Sequence, residues 1–288
     1  MMGKHFWPQL VFMAAVIGIN VFAQNPASDF EYTLNDTADG LTITKYKGTA
    51  ATVVIPGEIE GFPVTAIWGA FHFNQDVKKV TIPEGVTTVG DRAFSYCYDL
   101  VEVNLPQTLV TIGDYAFWSC EKLETIVIPE GVLNFGAGVF FDSGLTHILL
   151  PPNMTSIPPA MFWGTQLTQI IIPEGVTFIA SAAFADCTKL TTIKLPSTLQ
   201  IIGSVDYYME LGAAKSTPGA FENCKALTAI LVPDTIKQIE FYIEPGIYRN
   251  ESREGYTYQR DADHFAGCSS LSLREQAKLR NLGYKGRF

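Results

Sequence analysis

IPEGVTTVGDRAFSYC at 82–97 and LPQTLVTIGDYAFWSC at 105–120 are one pattern written twice, 23 residues apart. Each begins with an apolar residue and Pro, and each carries Ala-Phe near its end with Cys three residues after the Phe. The Pro recurs behind two alternating apolar residues at Val53-x-Ile55-Pro56, Val80-x-Ile82-Pro83, Val103-x-Leu105-Pro106 and Ile126-x-Ile128-Pro129. It continues at Ile148-x-Leu150-Pro151, Ile170-x-Ile172-Pro173, Ile193-x-Leu195-Pro196 and Ile230-x-Val232-Pro233. From Pro83 to Pro196 the steps are 23, 23, 22, 22 and 23 residues. Phe71, Phe94, Phe117, Phe140, Phe162, Phe184, Phe221 and Phe265 keep the same phase. The slot three residues on holds Cys97, Cys120, Cys187, Cys224 or Cys268, with Asn74, Ser143 and Thr165 in the other copies. Two landmarks held in register over so many copies are the signature of a repeat solenoid.

One repeat cannot bury its own apolar residues. Val103-Asn104-Leu105 alternates apolar and polar as a strand does, and Pro106 ends it by offering no amide to a ladder. Stacked on its neighbours at roughly 4.8 Å per rung, the repeat buries the alternate positions and the landmark Phe. The expected fold is a mainly β solenoid of about eight stacked 22–23-residue repeats with one long parallel sheet. The recurring Cys slot belongs to that interior, because free Cys packs as a small hydrophobe.

The ends read differently. Phe30–Leu34 and Leu41–Thr44 alternate around Asp39-Gly40, which predicts a β-hairpin capping the solenoid over 24–50. Ser272 with Glu275 forms a capping box and Gly283 suits a stop, so a short helix over about 272–282 is expected within the cap at 271–288. Between them lie the repeats, 51–270, with excess residues near 204–217 and 241–261. Residues 1–23 read as a secretory signal peptide: Lys4 and His5, an apolar run at 10–22, and Val21-Phe22-Ala23 before the cut. The run is too short to span a bilayer comfortably, which disfavours an anchor. The expected destination is secreted or cell-surface, with the periplasm as an alternative, and no transmembrane span is expected in the mature chain.

The formal charge of −9 leaves no cationic footprint for nucleic acid or an anionic membrane. His5, His72, His147 and His264 are scattered, and the cysteines fall one per repeat with no CxxC. No Gly-rich phosphate loop, GxSxG or HExxH is present. Asp261-Ala262-Asp263-His264 could be proposed as a metal site, but His264 fills the Ala slot of its repeat. The chain is therefore read as non-enzymatic, without metal or cofactor.

Three features could meet a partner. The insertions gather Tyr207, Tyr208, Tyr242, Tyr248, Tyr256 and Tyr258, half of the chain's 12 tyrosines. Tyr gives large contact area at low entropy cost, although the rings could equally pack the loops onto the solenoid. The outward strand position is apolar at Val127, Leu149 and Ile171 on three adjacent rungs. Exposed apolar patches mark contact sites, while β-branched residues also simply favour strands. The position after the landmark Phe holds Trp118, Phe141 and Trp163, a stripe for protein or a sugar ring, or cover for the edge of the core.

These landmarks resemble the BspA-like, or treponemal-type, leucine-rich repeats, over about residues 51–270. Members of that family are exported or surface proteins associated with adhesion. The resemblance implies a secreted or cell-surface module that binds a protein or glycan on a host or neighbouring cell; the alternative is a passive component of the envelope or matrix. The chain departs from the family in lacking a C-terminal cell-wall sorting motif and a lipid-attachment Cys.

Overall fold

The computed structural model describes residues 23–203, 218–233, 240–241 and 263–288. The expected signal peptide and both insertions lie outside the described residues, apart from Ala23 and Phe241 at their margins.

The chain winds as a β-solenoid. On its front, Thr52–Val54, Lys79–Thr81 and Glu102–Asn104 pair in parallel, and so do Gln169–Ile171, Thr192–Lys194 and Ala229–Leu231. A second ladder runs along the side after each Pro turn. It joins Phe62–Ile67, Thr88–Val89, Thr111–Ile112 and Asn134–Phe135, then Ser156–Ile157, Phe178–Ile179, Ile201–Ile202 and Glu240–Phe241. In place of the expected single sheet there are two rows of ladders, front and side, because a residue pair beyond each Pro, such as Thr88–Val89 or Thr111–Ile112, is also extended.

A third wall carries the landmark Phe. Arg92, Phe94 and Tyr96 donate backbone N–H to Asp114, Ala116 and Trp118 of the next rung at 2.8, 2.8 and 2.7 Å. To aim alternate amides this way the chain turns left-handed two residues either side of the Phe. Arg92 and Tyr96 have φ of 53° and 59°, and Gly164 and Gly267 take the same conformation at the position of Tyr96.

Inside, the landmark rings form one column. Successive centroids from Phe71 to Phe265 are 5.0, 5.4, 5.6, 5.7, 5.3, 5.2 and 5.1 Å apart. Beside it runs a column of thiols. Cys97, Cys120, Cys187, Cys224 and Cys268 are buried and free, and each donates Sγ–H to the landmark Phe carbonyl of the preceding rung at 2.9–3.2 Å.

Both ends are closed. Phe30–Leu34 pairs antiparallel with Leu41–Tyr46, which joins the side ladder and lays Tyr46 on Phe71 at 5.2 Å. At the other end the helix Leu273–Asn281 is capped by Ser272, whose side chain accepts from the Glu275 amide. Beyond the helix, Tyr284 packs edge-on against Phe265.

Candidate binding surface

The apolar column expected from the pattern stands on the front face. Val127 is 82% exposed, Leu149 85% and Ile171 63%, and Leu231 continues the row at 49% beyond Lys194. Leu231 occupies the same outward position, with the charged Lys194 between it and the other three. The exposure follows from the pleat: Ile126 and Ile128 on either side point inward and are nearly covered.

The same place is where the ladder gives way. Glu102–Asn104 is the last strand of the first front ladder and Gln169–Ile171 the first of the second. Between them only the Val127–Leu149 bridge remains. The side ladder breaks at the same level, between Asn134–Phe135 and Ser156–Ile157. The two widest ring spacings, 5.6 and 5.7 Å, fall on either side of Phe140, in this region. It also contains the repeats one residue short between Phe and the next Leu, where Ser143 and Thr165 replace Cys. The shortened turn leaves no room for a side chain at Gly144, where a Cβ would sit 2.0 Å from the Glu121 carbonyl.

Two shallow depressions flank Val127. One of about 440 Å³ is lined by Val127, Glu130, His147, Leu149, Pro151 and Pro152. The other, of about 320 Å³, lies between Val127 and Glu102–Asn104. Glu102, which bounds the second depression, is paired with Lys79 at 2.7 Å.

The aromatic stripe has a different character. Phe141 is only 8% exposed and is buried with Tyr115, Ala160, Ala182 and Ala185, while Trp118 and Trp163 pack over it. Trp163 donates Nε1–H to Asp186 at 2.8 Å. Next to it the Asp142 carboxyl is pushed up, first by burial and then by the charges of Asp186 and Glu121. The geometry favours cover for the core edge over a free ligand platform. Phe73 and Tyr96, stacked at 4.4 Å, extend the stripe two residues after their landmark Phe.

Tyr207, Tyr208, Tyr242, Tyr248, Tyr256 and Tyr258 lie outside the described residues, as does Asp261. Asp263 and His264 serve the fold: the Asp263 carboxylate accepts from the Arg287 amide and the Tyr284 hydroxyl, and the His264 ring accepts from the Ala220 amide at 3.2 Å. Among the described residues no three potential metal ligands gather, and no helix is long and apolar enough to cross a membrane.

A family model described as the BspA type leucine rich repeat region matches in six copies, over residues 69–191 and 155–210. The chain is similar to the crystal structure of a leucine-rich repeat protein of T. pallidum, at 28% identity over 92% of this chain and 98% of that one, with a TM-score of 0.59. A leucine-rich repeat protein from Bacteroides ovatus is 18% identical over 84% of this chain and 80% of its own, with a TM-score of 0.47. No curated protein matches the chain.

Proposed function

The chain belongs to the BspA-type leucine-rich repeat family, and from that premise we propose that it is an exported module that binds a macromolecule of a host or neighbouring cell surface. The observation that carries this reading is the apolar column. Val127, Leu149 and Ile171 hold their side chains in water on consecutive rungs, flanked by depressions. Water-facing Leu and Ile on a rigid scaffold cost solvation that a partner's apolar surface would recover. The Tyr-bearing insertions at 204–217 and 241–261 supply a second contact, as loops on a rigid scaffold commonly do.

The test is binding of the secreted protein to a panel of matrix proteins and to intact cells. Wild type is compared with a V127D/L149D/I171D variant and with Y248S/Y256S/Y258S. Loss of binding with unchanged melting in either variant supports the corresponding surface. A hot spot is expected to weaken binding by about 2 kcal/mol or more per residue. If wild type binds nothing in the panel, or both variants bind as well as wild type, the adhesion reading fails in favour of a passive envelope component.

A further inference from the structure

A short edge strand still offers unpaired amides and carbonyls to any other strand that approaches it. In a parallel ladder alternate residues turn their amide and carbonyl to the same side. On the front ladder Thr52 and Val54 face outward at the first rung and Ile230 at the last, since the residues between and beside them bond inward. Ile55 donates to Thr81, and Ala229 donates to Thr191 while Leu231 accepts from Leu195.

The Val54 and Ile230 pairs are satisfied by groups that imitate a strand. At the first rung Val54 donates its N–H to the Asn25 side-chain oxygen, and the Asn25 backbone N–H donates to the Val54 carbonyl, each at 2.9 Å. At the last rung Ile230 donates to the Glu275 carboxylate at 3.3 Å, and Lys278 Nζ donates to the Ile230 carbonyl at 3.0 Å. Glu275 and Lys278 are themselves paired at 2.9 Å, one helical turn apart. The first turn of that helix has little else to hold it down, because Leu273 is 83% exposed while the buried anchor, Leu279, lies at the far end.

We propose that Asn25 and the Glu275–Lys278 pair are edge stoppers that keep the front ladder from continuing into a second copy of the chain. The two edges they close are complementary: one rung follows another in parallel throughout the ladder, so the last strand of one copy fits the first strand of the next. Such a head-to-tail contact does not close on itself and would propagate.

The experiment opens each end separately in the full chain. N25A alone and E275A/K278A alone are expected to stay monomeric by light scattering, because each still presents one closed edge to every partner edge. Mixed together they should form particles of two chains and no longer ones. The triple variant N25A/E275A/K278A should grow with concentration beyond two chains. Amide exchange gives an independent reading of the stoppers: Val54 in N25A and Ile230 in E275A/K278A should each exchange about tenfold faster, with the other unchanged. Should E275A/K278A lose its helix, E275M/K278M takes its place, since Met favours helix and removes both the acceptor and the donor. A triple variant that keeps wild-type circular dichroism and stays monomeric overturns the proposal. So does either end-opened variant associating with itself, or unchanged exchange at both amides.

Discussion

The interior column and the front ladder run the length of the same solenoid and behave differently. The landmark rings follow one another without a gap from Phe71 to Phe265, at 5.0–5.7 Å. The front ladder is interrupted on both sides of the Val127–Leu149 bridge. Continuity of the winding therefore resides in the packed interior. Where the interior is intact, the front strands can forgo ladder hydrogen bonds, whose net contribution is about 1 kcal/mol each. They can also present apolar side chains to water, and the surface proposed for binding is the part of the fold that folding needs least.

The contrast makes a large prediction. Phe140 is fully buried between Phe117 and Phe162, so F140A should lower the unfolding free energy by about 3–5 kcal/mol. Leu149, one rung on and 85% exposed, should tolerate Ala within about 0.5 kcal/mol. Urea titration of both variants decides. A costly L149A with a mild F140A would reverse the assignment of interior and surface.

A second prediction uses the thiols. Burial pushes Cys97 and Cys187 up to about 12, and Cys120 and Cys224 well above a free thiol's range. The folded state thus holds its protons where the unfolded chain releases them near 9.0. Stability from this source is fully present below that value and is lost as pH rises towards 12. One unit above the unfolded value the loss is about 1.4 kcal/mol per thiol. C187A should flatten the decline in urea stability between neutral and alkaline pH by about that amount. An unchanged slope would mean that the thiol column is open to solvent. The same burial predicts that the native protein resists alkylation and that mass spectrometry of the unfolded protein finds free thiols.

How much of this was legible follows the same division. The Phe and Cys landmarks announced the interior, because each rung must place the same atoms in the same slot to stack on the next. The outward positions followed by parity, so Val127, Leu149 and Ile171 could be named. Other features depend on spacing between rungs in space, to which a linear pattern is blind. The 22-residue steps marked the irregular repeats but not which strands would part. The Trp118–Phe141–Trp163 stripe had two readings until burial of Phe141 weighed for one. The stoppers could not be found at all: Asn25 reaches Val54 from 29 positions away and Lys278 reaches Ile230 from 48, and neither obeys a period.

The smallest prediction concerns the Cys slot of the central rung, where Ser143 stands. Ser143 is 1% exposed, and its Oγ is the one side-chain nitrogen or oxygen among the described residues that is buried without a hydrogen-bond partner. In the Cys copies the long C–S bond carries the donor across to the preceding rung's Phe carbonyl. In the next rung Thr165 bends back instead to its own Phe162 carbonyl, at 2.8 Å. Ser143 does neither. An unsatisfied buried hydroxyl costs roughly 1–3 kcal/mol relative to a paired or apolar group. S143A should therefore stabilise the protein by about 1 kcal/mol, the low end of that range, since the lost Oγ leaves a small void. S143C should stabilise it at least as much, by restoring the sulfur and its bond to the Phe117 carbonyl. Denaturant midpoints at unchanged slope measure both. If S143A destabilises by about 1 kcal/mol or more, the hydroxyl holds a partner such as an ordered water. The central rung would then be as well satisfied inside as its neighbours, and its irregularity would be confined to the ladders.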